Sequence, residues 1–262
     1  MSDYVELHSH SAFSFLDGAS APEEVAARAA ELGHSAIALT DHDGLCGSLA
    51  FAHAARGAGV RPITGAEMTL DDGSHITLLV RTATGYANLC RLITAAHADT
   101  RSTRDRRPQP PVLNRGLLAG HAEGLVCLSG CTRDGAVAGP LSRGAPADAR
   151  SALTALIRDF GADNVAVEIQ RPRLRGDKRV MRGLRDLAEA AGLPLVATGN
   201  VHSHHPDRTL LQDAFVAIRN RSTLDGSEAA RRGNRQSYLR TPNESAALFR
   251  DFPQAIANSR HI

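Results

Sequence analysis

Two histidines near the amino terminus have the spacing of a metal site. His8 and His10 lie in the segment from Tyr4 to His10, which we predict to be a strand. Alternate side chains of a strand point to the same face, so the two imidazoles would lie about 7 Å apart and could reach one ion. Asp17 follows, and Gly18 would let the chain turn sharply and return this carboxylate towards the histidines. A histidine pair alone is weak evidence, so the interpretation depends on the rest of the chain.

Further side chains that can bind metals lie at the ends of other predicted strands. Apolar runs predict strands over 35–39, 61–70, 75–81, 124–129, 164–169 and 193–198, most of them separated by predicted helices. The candidates at or just beyond these runs are His42, Glu67, Cys131, Asn200 and His202. Such alternation predicts a parallel, barrel-like α/β fold, in which active sites gather at the carboxyl ends of the strands. We therefore expect these residues to meet at one rim.

Composition limits the compartment and the partners. A chain of 262 residues with 42% hydrophobic residues can bury one large core. It contains no apolar run long enough for a membrane span and no leader-like segment, so we expect a cytoplasmic protein with no membrane partner. The four scattered cysteines favour free thiols or one metal thiolate over disulfides. Lys178 is the only lysine among 30 basic residues, which suggests a coding bias and makes the many arginines weak evidence for phosphate binding.

The second half of the chain carries two further features. A helix predicted over 85–97 places His97 beside its buried face, and an exposed loop is predicted over 99–111. The basic run 171–185 is either a solvated helix face or a surface that steers DNA. Helices are predicted over 207–218, 242–250 and 253–260 without intervening strands. We therefore expect a metal-binding barrel over 1–205 and a helical extension over 206–262 that leads towards a region absent from this chain.

Four sequence motifs together resemble one known family. They are LHSHSAFSFLDGAS (7–20), ALTDHDGL (38–45), LSGC (128–131) and LRTPNE (239–244). The set is similar to the PHP (polymerase and histidinol phosphatase) domain, and more narrowly to the amino-terminal region of bacterial DNA polymerase III alpha subunits, closest to the error-prone branch. This resemblance extends over essentially the whole chain.

The resemblance implies a fold and a ligand set. The fold would be a distorted seven-stranded β/α barrel whose rim holds two to three divalent ions, Zn, Mn or Fe. The ligands implied by matching motifs are His8, His10, Asp17, His42, Glu67, His97, Cys131 and His202. The last motif of the family is normally Asp-x-His, and here it begins with Asn200. Because an amide oxygen is neutral, we expect Asn200 to hold an ion less well and to weaken activity.

Such a site would perform metal-dependent phosphoester hydrolysis, as a 3′–5′ exonuclease or a phosphatase. The nucleophile would be a metal-bound water or hydroxide, with no side-chain nucleophile. DNA or another phosphoester would be the substrate, and the rest of a polymerase chain with replication or mutasome factors would be the partners. The alternatives are a catalytically degenerate structural module of the polymerase and a free-standing PHP phosphatase. At 262 residues, this chain alone is not expected to transfer nucleotides.

Overall fold

A computed structural model of the chain describes residues 4–100 and 109–262, so most of the loop predicted over 99–111 lies outside the described residues. The strands are β1 (Ala36–Leu39), β2 (Arg61–Thr69), β3 (His75–Val80), β4 (Leu125–Leu128), β5 (Val165–Gln170) and β6 (Leu195–Thr198). The helices are α1 (Pro22–Glu31), α2 (Ser48–Gly57), α3 (Ala83–Ala96), α4 (Ala138–Ser142), α5 (Pro146–Phe160), α6 (Asp177–Ala191), α7 (Thr209–Arg219), α8 (Pro242–Leu248) and α9 (Pro253–Asn258). Within these ranges no helix is both long enough and apolar enough to span a bilayer.

The six strands form one sheet in their order along the chain, but the predicted all-parallel arrangement is wrong at its centre. Strands β1 and β2 are parallel, as are β4 and β5, and β5 and β6. Strand β3 is antiparallel to both of its neighbours. The cause is the short connection over 70–74, which can close a hairpin but is too short for the crossover that a parallel pair needs. The fold is α/β, with a sheet that is parallel at both ends and antiparallel in the middle.

The segment predicted as the first strand does not form a seventh strand of the described sheet. It makes isolated parallel bridges instead, from Glu6 to Ile37 of β1 and from Ser9 to Val201, just beyond β6. Hydrogen bonds from Ala38 N to the Glu6 carbonyl and from Val201 N to the His8 carbonyl run to its two sides. The segment therefore lies between the first and last strands and brings the two edges of the curved sheet towards each other.

The turn after this segment depends on glycine. A Cβ atom at Gly18 would lie 1.9 Å from the carbonyl oxygen of Ser11, so no other residue fits without moving the backbone. This close approach explains how the chain doubles back directly after His10. It also brings Asp17 into the cluster, although the histidines that it contacts are His42 and His202 and not the predicted pair His8 and His10.

The carboxyl-terminal helices pack into the same core as the sheet. Phe249, Ala255 and Ile256 are buried in the cluster that contains Leu78 of β3 and Leu89 of α3. Elsewhere on the last helix, the Asn258 side chain donates to the carbonyl of Leu195 in β6 at 2.9 Å. The residues beyond 205 thus add helices that pack against the sheet. A domain boundary at 205–206 stays a prediction.

Candidate metal centre

Six elements bring the candidate ligands to one edge of the sheet. His42 follows β1, Glu67 lies near the carboxyl end of β2, and His202 follows β6. Strand β3 runs the other way, so its first residue, His75, reaches the same edge and pairs with Thr69 at the end of β2. The bridged amino-terminal segment supplies His8 and His10, and the turn closed by Gly18 supplies Asp17. Strand pairing, and not proximity in sequence, therefore assembles the cluster.

Glu67 is the centre of the cluster. Its Oε2 atom lies 3.4 Å from His8 Nε2, 3.3 Å from His10 Nε2 and 3.3 Å from His42 Nδ1. Its Oε1 atom lies 3.4 Å from His75 Nδ1. Three overlapping groups, each with all its ligand atoms within 4.8 Å of one another, are His8/His10/Glu67, His10/His42/His202 and His42/Glu67/His75. The three groups share His10, His42 and Glu67, so they form one continuous cluster.

Asp17 is the second carboxylate of the cluster. Its Oδ2 atom lies 3.2 Å from His42 Nε2 and 3.3 Å from His202 Nε2. The side chain is buried, as are those of His10 and His202. Asp17 and Glu67 therefore flank His42 from opposite sides, each facing one of its ring nitrogens.

The far nitrogens of three histidines have partners that fix the tautomer. His8 Nδ1 lies 2.7 Å from Glu168 Oε1, and His202 Nδ1 lies 2.9 Å from the carbonyl oxygen of Asn200. His10 Nδ1 lies 3.1 Å from Ser14 Oγ, whose own proton goes to Asp41. In each case Nδ1 donates, so that in the neutral form of the ring Nε2 would present a lone pair to the cluster. Ligand histidines in metal sites have this arrangement, with a carboxylate or carbonyl behind the ring.

Electrostatics in the cluster are strongly coupled. Burial disfavours charge on His8, yet Glu168 and Glu67 outweigh it and raise its pKa to about 10. Burial and the neighbouring His202 and His42 hold the pKa of His10 well below its usual value. Burial also opposes ionisation of Glu67, but the adjacent His42 and His8 hold its pKa well below the usual range. The centre thus keeps an ionised carboxylate among imidazoles of unequal basicity.

Arg232 reaches into the cluster from the loop after α7. One of its Nη atoms lies 3.1 Å from Asp17 Oδ2 and 3.3 Å from Oδ1, and it also donates to His202 Nε2. Although burial would raise the pKa of Asp17, this guanidinium and His202 hold it well below its usual value. Burial and the charge of Arg232 lower the pKa of His202 to about 4. No local pattern in the sequence marks Arg232 as a residue of the site.

Three predicted ligands have a different position from the central group. The Nε2 atom of His97 lies 2.7 Å from the backbone carbonyl of Asp43, and His97 belongs to none of the three groups found in the described residues. Cys131 is buried and lines the same cavity as Glu67, and burial, with Glu67 nearby, raises the pKa of its thiol. Asn200 also lines that cavity, with its Nδ2 donating to Gln170 Oε1 at 3.3 Å. Cys131 and Asn200 are therefore at the rim of the cluster, whereas His97 is turned to the backbone.

Besides Arg232, two residues of the site were missed in the sequence. His75 opens an apolar strand, and the rule that sites follow the carboxyl ends of strands passes over it because β3 is reversed. Glu168 is 1% exposed within the apolar strand β5, and a lone carboxylate in such a run is the signal that could have found it.

The donor set fits divalent metal ions. Imidazole nitrogens with a few carboxylate oxygens suit Zn²⁺, and a larger share of oxygen suits Mn²⁺ or Fe²⁺. Glu67 Oε1 and Asn200 Oδ1 are buried without a hydrogen-bond partner in the described chain. Such acceptors are costly unless something binds them. A cation in the cluster would satisfy Glu67 and the converging ring nitrogens together.

Comparison with known proteins agrees with the predicted family. The PHP domain family matches residues 6–172. The chain is 40% identical to an error-prone DNA polymerase of Symbiobacterium thermophilum and 34% identical to the DNA polymerase III subunit alpha of Escherichia coli K12, with 99% of the chain covered in both. It covers 25% and 22% of these two relatives, so it spans about a quarter of their length.

Solved structures share the fold. A proposed metal-dependent phosphoesterase from Bifidobacterium adolescentis gives a TM-score of 0.52 at 14% identity, over 76% of this chain and 87% of the other. An amidohydrolase from Chromobacterium violaceum gives a TM-score of 0.51 at 21% identity, with the same coverage of both chains. The predicted resemblance to the PHP domains of polymerase III alpha subunits and error-prone polymerases is therefore confirmed, and the chain belongs to the PHP domain family.

Proposed function

We propose that this chain is the PHP domain of a bacterial error-prone DNA polymerase of the polymerase III alpha type, and that it hydrolyses phosphoesters with two to three bound divalent ions. The similarity to such polymerases over 99% of the chain supports the first part. Translesion synthesis, replication or mutasome partners, and a cytoplasmic location belong to that proposal for the parent protein. The hydrolytic activity is a proposal about this chain itself.

The convergence of five imidazole rings and two buried carboxylates on one place carries the hydrolytic proposal. His8, His10, His42, His75 and His202 would hold the ions with Asp17 and Glu67, and Cys131 and Asn200 would complete the set at the rim. Bound divalent ions supply Lewis acidity and lower the pKa of a coordinated water. His97 is not part of this proposed set, because its Nε2 atom faces the Asp43 carbonyl.

The surrounding residues suit a phosphate substrate. A cavity of about 350 Å³ opens onto the cluster and is lined by Arg133, Arg219 and Arg232. Guanidinium groups bind phosphate oxygens with charge-assisted hydrogen bonds. The side chains that could act as nucleophiles are poorly suited to it, since Cys131 would be occupied as a ligand at the rim and the Ser14 hydroxyl donates to Asp41. A water nucleophile is therefore the one that the lining favours.

Metal content and hydrolysis test the proposal together. We expect elemental analysis of the purified chain to give two to three ions per chain, and Mn²⁺ to support hydrolysis of bis(4-nitrophenyl) phosphate. His10→Asn should lose metal and activity, whereas His53→Asn, on the exposed side of α2, should lose neither. A parent chain that binds no metal, even after incubation with Zn²⁺ or Mn²⁺, would refute the proposal.

Asn200 favours a second candidate function, a structural module with a degenerate site. An amide supplies no negative charge where the family has a carboxylate, and the backbone of Asn200 is held at a positive φ of 47°. If the parent binds one ion without activity and Asn200→Asp restores both a further ion and hydrolysis, the structural module is the better description. If the parent already hydrolyses the ester, that candidate fails.

A further inference from the structure

Arg232 contacts one of the three ligand groups of the cluster and leaves the other two free. One of its Nη atoms lies 3.1 Å from Asp17 Oδ2 and also donates to His202 Nε2. His202 belongs to one group alone, and Asp17 Oδ2 lies between it and His42. In the described chain, Arg232 makes no hydrogen bond to any member of the two groups that contain Glu67.

The guanidinium and a metal ion would compete for the same atoms. A ring nitrogen has one lone pair, so His202 Nε2 either accepts from Arg232 or binds an ion. Metal–nitrogen bonds of about 2.0–2.1 Å would place that ion against the Nη atom of Arg232. Two positive charges so close together also repel each other strongly inside a protein. An ion can therefore fill this group only if Arg232 moves away.

The loop that carries Arg232 is held on both sides of this residue. Before it, the exposed Arg133 guanidinium donates to the carbonyls of the two preceding residues, at 3.1 and 2.8 Å. After it, Gly233 turns the chain with a positive φ of 78°, and Asn234 Nδ2 donates to the Pro172 carbonyl at 2.6 Å. The Arg232 side chain is only 22% exposed. These contacts hold the guanidinium at the cluster.

The charges around His202 favour the guanidinium over an ion. Asn200, two residues before His202, offers a neutral amide where the family has a carboxylate. Among the described residues, Asp17 is the only carboxylate within ion-pair distance of His202, and it is already paired with an arginine. The ion pairs of Glu67 in the same part of the chain are all with histidines. The negative charge of Glu67 is therefore available to ions, whereas that of Asp17 is largely neutralised.

We propose that Arg232 takes the place of one ion, so that the cluster binds two ions tightly in the groups that contain Glu67 and a third only weakly. The proposal rests on the proposed phosphoesterase function and narrows its two to three ions to two. Beside Asp17, Arg232 would offer the phosphoryl group a fixed positive charge in place of the third ion. Arg232 is thus the residue that sets the metal content of the site.

Arg235 provides a matched control for Arg232. It lies in the same loop, carries the same charge, is exposed, and makes no hydrogen bond or ion pair with a described residue. Replacing either arginine by methionine removes one positive charge and keeps a side chain of similar length. Because the more distant charge is screened by salt, a difference between the variants reports on the contacts of Arg232 with Asp17 and His202.

The test is the number of Mn²⁺ ions bound by the metal-stripped chain, measured by equilibrium dialysis and elemental analysis, with affinities from calorimetric titration. The parent should bind two ions tightly. Arg232→Met should bind three, the third at least about 10-fold more tightly than the parent binds it, because no charge-assisted hydrogen bonds have to be broken. Arg235→Met should match the parent.

A second variant covers the case in which Arg232→Met does not fold, which circular dichroism would show. Arg133 is exposed and holds the loop from outside the cluster, so Arg133→Met should keep the fold and loosen the loop. We expect it to tighten the third ion by about 3-fold or more, because Arg232 is then displaced more easily. An unchanged third ion in Arg133→Met would then overturn the proposal.

Three tightly bound ions in the parent, equal counts and affinities in the parent and Arg232→Met, or the same gain in Arg235→Met would each overturn the proposal. None of these results removes the phosphoesterase if the parent binds two or three ions and hydrolyses bis(4-nitrophenyl) phosphate. A parent that binds no ion while Arg232→Met binds one would support the role of Arg232 and refute the phosphoesterase.

Discussion

At the scale of single residues, the partner behind each imidazole decides what that imidazole can do. Glu168, the Asn200 carbonyl and Ser14 each accept from the Nδ1 of a different histidine, so three Nε2 atoms face inwards. Without such partners the rings could adopt the other tautomer or turn away. These three hydrogen-bond partners are thus as necessary to the site as the histidines themselves.

Glu168→Gln tests this view of His8. The substitution removes the negative charge behind the ring, so we expect Zn²⁺ or Mn²⁺ affinity to fall about 10-fold to 100-fold while the fold is kept. Competition with a fluorescent chelator measures the affinity. Glu189→Gln, on the exposed face of α6, removes an equal charge and should leave the affinity unchanged. Equal affinity in both variants would show that Glu168 does not support a ligand.

His75 and His97 are alternative candidates for one position in the ligand set. His75 Nδ1 faces Glu67 at 3.4 Å, whereas His97 Nε2 faces a backbone carbonyl. We therefore expect His75→Asn to lower the metal content by about one ion per chain and His97→Asn to leave it unchanged, as measured by elemental analysis. The reverse result would restore the ligand assignment that the family resemblance implied.

At the scale of elements, the direction of β3 and the helices after 206 set the shape of the molecule. The reversed strand delivers its first residue to the rim where its parallel neighbours deliver their last. Helices α8 and α9 contribute Phe249, Ala255 and Ile256 to the core, so they support the sheet that carries the site. Removing those contacts should affect the whole fold.

Phe249→Ala tests the contribution of the last helices. Phe249 is 1% exposed, so truncation should lower the free energy of unfolding by about 3–5 kcal/mol, with an unchanged m value in urea. Phe15 is 81% exposed, and Phe15→Ala should change the free energy of unfolding by less than about 0.5 kcal/mol. A small loss for Phe249→Ala would mean that the helices after 206 do not stabilise the barrel.

At the scale of the whole molecule, buried histidines make stability depend on pH. His34 lies beneath α1, and its Nε2 donates to the Arg240 carbonyl at 2.7 Å. Burial lowers its pKa below the usual value despite this bond. The unfolded chain therefore takes up a proton at His34 more readily than the folded chain. The contribution of neutral, buried His34 to stability is complete above about pH 6.5 and is lost as the pH falls.

His34→Gln measures this contribution. In EDTA at pH 7.5 the variant should be less stable by about 1 kcal/mol, through a weakened hydrogen bond. The difference in stability between variant and parent should narrow at pH 5, because only the parent loses stability by keeping His34 neutral in the folded state. Thermal unfolding at the two pH values gives the comparison. A gap that is constant or widens on acidification would contradict the predicted direction.

The sequence by itself identified the family, most of the candidate ligands and the broad class of the fold. The histidine pair at 8 and 10, the carboxylates at 17 and 67 and the histidines at 42 and 202 were found because each follows or ends an apolar run, a local pattern. The positions of the long helices followed from local periodicity for the same reason. The predicted strands 61–70 and 75–81 leave only residues 71–74 between them. This short connection is itself evidence for a hairpin, although the overall alternation pointed to a parallel strand.

Only the tertiary structure decided which of those residues meet and what else joins them. Strand direction depends on pairing with neighbours distant in sequence, so the place of His75 could not be read from its own surroundings. Glu168 and Arg232 act on histidines 160 and 30 residues away, and nothing local marks their reach. Contacts of this kind arise from closure of the whole chain, which local propensity does not specify.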